Sequence, residues 1–292
     1  MTDSAPLAPS LAPGLWLVST PIGAARDITL RALDVLGAAE VLAAEDTRSL
    51  RHLMQIHGLS AGGRTLLAYH DHNGERMRPK LLAALAEGRS VAYASEAGTP
   101  LVADPGFQLV RAAVAAGHAV HAVPGASAVL AALAVAGLPT DRFAFLGFAP
   151  AQAGARARFL AEAAAIPATC VLYESPRRVA RLLAEMVPIF GAGRDAVVCR
   201  ELTKRHEEVI RAPLGDLAAA LASREIKGEV VVLTDRQGAV AVGAGTLEAA
   251  LADALAQDSL RAAVDRVAAE LGLPRRQVYQ AALALQKGQG DE

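Results

Sequence analysis

From Gly14 onward, short apolar runs alternate with amphipathic stretches at a steady spacing, and this rhythm constrains the fold more than any other feature of the chain. The runs LWLVS, VLAAE, TLLAY, SVAYAS and HAVHAVPG have strand length. Between them lie ITLRALDVLGAA, RSLRHLMQIHG, ERMRPKLLAALAEG and FQLVRAAVAAG, in which apolar residues recur at helical period. Strand and helix in alternation predict a parallel sheet wrapped by helices, since a helical crossover returns the chain in the same direction. The punctuation agrees: Gly58, Gly88 and Gly117 stand where helices should stop. Asp104 followed by Pro105, and Ser175 followed by Pro176, read as a cap and first turn where helices should start.

After GLPTDRFAFLGFAP the rhythm changes. The strands RFAFLGF, TCVLYES, AVVCREL, EEVIRA and GEVVVLTD follow one another with fewer helices between, which predicts a second α/β domain with a mixed sheet. At 292 residues the chain exceeds one ordinary core. The expected division is a flexible tail over 1–13, an α/β domain over 14–140, a second α/β domain over 141–237, and a linker with a helical C-terminal region over 238–292. In that last part, SLRAAVDRVAAELGLPRRQVYQAALAL reads either as a helix-turn-helix or as a helical pair packing on the protein or its dimer mate. Hydrophobic residues make up 53% and aromatics only 4%, which suits alanine-rich helices lying close on sheets.

Several classes drop out. No apolar run is long enough to span a bilayer and the N-terminal segment lacks the pattern of a signal peptide, so a cytoplasmic protein without membrane contact is expected. Cys170 and Cys199 lie inside apolar strand-like runs and read as buried reduced thiols. A net charge of -1 argues against an obligate polyanion binder, but averages hide local patches such as SPRRVAR, RELTKR and LPRRQ.

Ligands of an open parallel sheet bind beyond the carboxyl ends of its strands. Those ends carry STPIG, AEDTR, YHDHN, SEAGTP and VPGASA, five loops expected on one edge. Glycine and proline there let the backbone approach a ligand closely, and carboxylates and hydroxyls direct hydrogen bonds to it. No Gly-x-Gly-x-x-Gly follows the first strand and no Walker lysine loop is present, which disfavours dinucleotides and nucleoside triphosphates. His70 and His72 flank Asp71 without an accompanying thiol or second histidine pair, so no metal site is expected. His118 and His121 read as structural, and no Gly-x-Ser-x-Gly elbow points to hydrolysis.

Taken in order, STPIG, AEDTR, SEAGTPLVADPG, VPGASA, GLPTDRFAFLGF, YESPRR, RELTK and KGEVVVL resemble the tetrapyrrole-methylase superfamily from about Gly14 to Asp235. More narrowly, AEDTR, YESPRR and RELTK are similar to its bacterial branch that methylates a cytidine ribose 2′-hydroxyl in 16S ribosomal RNA. The resemblance implies a two-domain α/β fold, S-adenosylmethionine in the interdomain cleft, 16S ribosomal RNA or the small subunit as partner, and a homodimer. By motif, the donor site would comprise Pro21, Ile22, Gly23, Glu96, Ala97, Gly98, Thr99, Gly125, Ala126 and Ser127, closed from the second domain by Leu146, Tyr173 and Glu174. The chain departs from the family pattern at Glu96, where aspartate is usual, and at Ala24, where asparagine is usual.

Ribose methylation requires the 2′-hydroxyl to attack the methyl carbon in line with the departing sulfur while its proton is removed or left to solvent. Asp46, His72 and Glu201 are the candidate bases or orienting groups. Asp46 reads equally as a helix cap, and Glu201 with Lys204 equally as a structural ion pair. Cations for RNA phosphates would be Arg48, Arg51, Arg177, Arg178, Arg200, Lys204 and Arg205; the plainer reading is a solvated charged face. Two other functions compete with the lead. A tetrapyrrole C-methyltransferase would need a deep apolar substrate trough, and a non-catalytic RNA-binding module would act through the tail without using the cleft.

Overall fold

A computed structural model of the chain describes residues 11–70, 72–236, 244–271 and 275–288. The first ten residues of the expected tail, the Gly/Ala-rich stretch at 237–243 and the Gly-Leu-Pro turn at 272–274 lie outside the described residues.

The alternation forms the predicted sheet. Five strands, β1 (Gly14–Val18), β2 (Val41–Ala44), β3 (Thr65–Ala68), β4 (Ser90–Ala94) and β5 (Val120–Val123), pair in the order β3-β2-β4-β1-β5, all parallel. β4 is buried at every position, as a central parallel strand covered on both faces must be. The crossovers are helices α1 (Leu30–Ala38), α2 (Thr47–Ile56), α3 (Gly74–Ala86) and α4 (Phe107–Ala115), and α5 (Ala128–Ala136) follows β5. Thr29 caps α1, its side chain accepting from the Ala32 amide at 3.1 Å. One face of the sheet packs Leu36, Leu42 and Met54 and the other Leu81, Tyr93 and Leu109, which gives this lobe a core on each side.

The second sheet is mixed, as expected. It joins β6 (Phe143–Phe148), β7 (Thr169–Glu174), β8 (Asp195–Arg200), β9 (Glu208–Pro213) and β10 (Val230–Thr234) in the order β6-β7-β10-β8-β9, with β6 and β7 parallel and the other pairs antiparallel. Helices α6 (Ala153–Ala164), α7 (Val179–Phe190) and α8 (Leu214–Leu221) cover one face around Leu182, Leu183 and Met186. The opposite face receives α5, whose Val129, Ala132, Leu133 and Ala136 pack against Val171, Val197, Cys199 and Leu233. The sequence AVLAALAVA is apolar all round, but Leu130 is exposed; the packed face of the helix joins the second sheet to Ile22 in a loop of the first lobe. Cys170 and Cys199 are buried free thiols. His121 stacks on Trp16 with ring centroids 4.2 Å apart, a structural role.

The C-terminal region forms three helices, α9 (Ala244–Leu255), α10 (Leu260–Leu271) and α11 (Arg275–Gly288), with a core of their own around Leu251, Val264, Val267 and Val278.

Two expected helix starts differ. α7 begins at Val179 rather than at Ser175 and Pro176, which form the turn before it. α4 begins at Phe107, and Asp104 does not cap it: the cap position is Gly106, with no side-chain hydrogen bond. Gly106 sits at φ 123°, and a side chain there would meet the Tyr93 ring at 2.8 Å. The backbone therefore turns into the helix two residues after Asp104, whose carboxyl group takes no part in the cap.

Candidate active site

The five carboxyl-end loops share one edge, but only four reach the cleft between the lobes. Sheet order explains the exception. β3 is an edge strand and, unlike the other edge strand β5, stands two places from the β4–β1 centre, so Tyr69, His70, His72 and Asn73 lie to one side; His72 is exposed and does not line the cleft.

The central loops are tied to one another. Thr20 and Gly98 exchange backbone hydrogen bonds at 2.9 and 3.0 Å, and the Thr99 hydroxyl donates to the Ala126 carbonyl at 3.0 Å. Gly98 adopts φ 82°, a conformation that lets the Glu96–Thr99 turn fold back over Ile22. Gly125 packs so closely on Ser19 that a Cβ would meet the serine Cβ at 2.8 Å. These bonds fix a small floor from three distant segments of sequence.

The resulting cavity has a volume of about 590 Å³, within the range of small-molecule sites. Pro21, Ile22, Gly23, Glu96, Ala97, Gly98, Thr99, Ser127, Tyr173 and Glu174 all line it. Gly125 and Ala126 stand behind the lining as supports for Ser19 and Thr99, and Leu146 packs into the second lobe's core rather than onto the cavity. Glu174 is buried, and its carboxylate accepts from the Ser175 amide and from Arg178 Nε, each at 2.7 Å.

The three candidate proton acceptors fare differently. Asp46 caps α2, accepting from the Arg48 amide at 2.7 Å and from its guanidinium, and the Arg48 side chain pulls its carboxyl down to about 2. Glu201 accepts from the Glu229 amide at 3.0 Å and from Lys204 at 2.9 Å; these donors hold its carboxyl below the ordinary glutamate value. His72 stands off the cleft as described. None of the three lines the cavity, so the structure does not bring them together there.

Of the cations, Lys204 lines the cavity, donating to Glu201 and Glu229 at 2.9 Å each. Arg48 pairs with Asp46, Arg178 with Glu174 and Arg200 with Glu208, while Arg51, Arg177 and Arg205 are exposed. The two lobes meet at this corner, where the Ala24 amide donates to the Thr203 hydroxyl at 3.0 Å. A Cβ on Gly23 would lie 2.5 Å from Lys204 Cγ and 2.6 Å from Thr203 Oγ1, so only glycine lets the lobes approach this closely.

Sequence reasoning missed three carboxylates of the lining: Glu45, Glu229 and Asp104. Glu45 is adjacent to the residue singled out in AEDTR. Glu229 precedes β10, a strand whose amino end reaches the cleft because it runs antiparallel to β7. Asp104, followed by proline, reads in the sequence as a helix cap. Its Oδ2 is buried without a hydrogen-bond partner among the described residues, and burial, with the negative charges of Glu45, Glu96 and Glu229, pushes its carboxyl up to about 7.

The comparisons with known proteins agree on the architecture. The family of tetrapyrrole (corrin/porphyrin) methylases matches residues 14–218, and the RsmI C-terminal HTH domain matches residues 241–286. A protein of Mesorhizobium japonicum named ribosomal RNA small subunit methyltransferase I is 43% identical over 284 residues, covering 96% of each chain. The protein of that name from Xylella fastidiosa is 43% identical over 270 residues, covering 91% of this chain and 97% of its own. Among solved structures, the uroporphyrin-III C-methyltransferase of Thermus thermophilus, complexed with S-adenosylhomocysteine, superposes with a TM-score of 0.52 at 22% identity, covering 75% of this chain and 96% of that one.

Proposed function

The chain belongs to the tetrapyrrole-methylase family, and on that premise we propose that it methylates the ribose 2′-hydroxyl of a cytidine in 16S ribosomal RNA, using S-adenosylmethionine. The observation that carries the reading is the tied, acidic cleft between the two sheets. Its size suits a nucleoside-bearing donor, and Glu45, Glu96, Asp104 and Glu229 suit one that bears a positive charge. Bound there, the donor supplies an electrophilic methyl group on a cationic sulfur. Full-length likeness to small-subunit RNA methyltransferases at 43% identity, against 22% to a tetrapyrrole enzyme over three quarters of the chain, favours RNA over a corrin or porphyrin precursor.

In this reading the backbone of Pro21–Gly23 and Ala97–Thr99 cradles the donor and the Glu96 carboxylate accepts hydrogen bonds from it. Ser127, Tyr173 and Glu174 close the cleft, and Gly125, Ala126 and Leu146 act from behind. Arg51, Arg177 and Arg205, exposed and each within two residues of one that lines the cleft, meet RNA phosphates, joined by Arg48, Arg178, Arg200 and Lys204 once RNA competes for their present partners. Asp46 and Glu201 then orient groups at the rim rather than take a proton, and His72, off the cleft, takes no part in the transfer. We further propose that the enzyme works as a homodimer in the cytoplasm, on RNA within the small subunit, with divisions near residues 13, 140 and 237.

The test is incubation of the protein with labelled S-adenosylmethionine and undermethylated small ribosomal subunits, followed by mapping of the label. Label on a cytidine ribose of 16S RNA is expected. Donor binding without transfer to that RNA would reject the proposal.

A further inference from the structure

We propose that Asp104 is the catalytic base of this methyl transfer and that the positive charge of the bound donor is what ionises it; the inference rests on the function proposed above.

The backbone is arranged to present this side chain. Leu101 and Ala103 adopt φ of 72° and 61°, a left-handed conformation that non-glycine residues rarely hold unless their surroundings impose it. Immediately after, the Tyr93 hydroxyl donates to the Pro105 carbonyl at 3.0 Å, and Gly106 packs against the Tyr93 ring. Asp104 is thus held between a strained turn and a clamped one, as one of the residues that line the cleft. Neither clamp uses that group. Oδ2 is buried without a partner among the described residues, a state that folded proteins avoid for an ionised oxygen.

The groups facing Asp104 come from several elements. Glu45 follows β2, Glu96 follows β4 and Glu229 precedes β10, and all three oppose its ionisation; the Tyr173 phenol of β7, itself pushed up to about 12 by burial, also senses its charge. Lys204 is the only cation lining the cleft among the described residues, and it is engaged by Glu201 and Glu229. In the donor-free protein Asp104 therefore holds a proton to about pH 7. A cationic sulfur placed among these carboxylates reverses the balance and expels that proton.

The transfer then balances. As the ribose 2′-oxygen bonds to the methyl carbon, the carbon–sulfur bond breaks with its electron pair left on sulfur, and the hydroxyl proton passes to the Asp104 carboxylate. One positive and one negative charge disappear together, so the spent product leaves a neutral aspartic acid behind. A base that titrates near neutrality accepts this proton far better than Asp46 or Glu201, whose carboxyls are held low.

The experiment is calorimetric titration of the full-length protein at pH 7 in two buffers of different ionisation enthalpy. S-adenosylmethionine is expected to release up to about half a proton per site, and S-adenosylhomocysteine, with its neutral sulfur, distinctly less. Asp104→Asn should still bind both ligands but lose the difference between them, and should slow single-turnover methylation of undermethylated subunits by roughly 10²-fold or more. Asp104→Glu should restore part of the rate and the acid limb of the pH profile. Equal proton release by the two ligands, or a difference that survives in Asp104→Asn, would overturn the role of Asp104 while leaving donor binding and the proposed function intact. Failure of the wild-type protein to bind S-adenosylmethionine would overturn both.

Discussion

The two walls of the cleft are built from similar residues and end in opposite states. On the wall from the second sheet, each carboxylate that faces the cavity has a cation in reach: Glu174 holds Arg178, and Glu229 shares Lys204 with Glu201. On the floor from the first sheet, the loops after β2 and β4 bring Glu45, Glu96 and Asp104 to the cavity, and Asp104 stands against its neighbours' negative charge. Satisfied charge makes a rigid wall. Unsatisfied charge makes a site, because a ligand of the right sign removes a cost the empty protein carries.

This difference predicts opposite signs for mutation on the two sides. The largest effect belongs to Asp104. Its folded-state value of about 7 lies above the ordinary aspartate value of 3.8, so the stabilisation tied to its proton is complete below about pH 4 and is lost as pH rises through 7. Asp104→Asn removes that loss and should make the donor-free protein more stable at pH 8, on the order of 2 to 4 kcal/mol. Urea unfolding of wild type and variant at pH 5 and pH 8 measures it; a variant no more stable at pH 8 would show that the floor is not under charge strain.

Glu96 comes next. Its carboxylate is exposed on the cavity, so Glu96→Ala should weaken S-adenosylmethionine by about 2 kcal/mol, a factor near 30, with RNA affinity little changed. Calorimetry with donor and filter binding with RNA separate the two, and unchanged donor affinity would remove Glu96 from the floor. Gly23→Ala tests the seam where the walls meet. The added methyl drives against Lys204 and Thr203, and thermal unfolding should show a loss of about 1 to 3 kcal/mol.

The same contrast explains what the sequence could disclose. Both sheets were legible because periodicity is local: SVAYA and FQLVRAAVA declare strand and helix without their partners. The loops of the floor were legible as a set because all follow parallel strands, and parallel strands put their carboxyl ends on one edge. The distance of each loop from the cleft was not, since it depends on strand order, and β3 at the margin takes His72 out of range. Glu229 was hidden by direction: it precedes its strand, and only antiparallel pairing with β7 carries it to the cleft. Asp104 was misread for a subtler reason. Asp-Pro-Gly before an amphipathic run satisfies the rules for a helix start, but Gly106 at φ 123° resets the chain so that the cap falls two residues later.

The smallest effect, and the sharpest check on the satisfied wall, is Glu201→Gln. Glu201 sits at φ 52° beside Gly228, whose lack of a side chain makes room for its carboxylate between the Glu229 amide and Lys204. Glutamine keeps the length and an acceptor oxygen, so the geometry should persist while the charge is lost. Glu201 titrates below the ordinary value of 4.5, so its contribution is present above that pH and disappears as pH falls through the lower folded value. Because Glu201 and Lys204 are partly open to solvent, the charge itself is worth no more than about 1 kcal/mol. Glu201→Gln should therefore lower stability at pH 7 by about that amount and converge on wild type as pH falls below the lowered folded value, the reverse of the pattern for Asp104→Asn. Were both variants to shift stability in the same direction at pH 7 to 8, the two walls would not differ in charge satisfaction, and the cationic donor would have no unsatisfied floor to relieve.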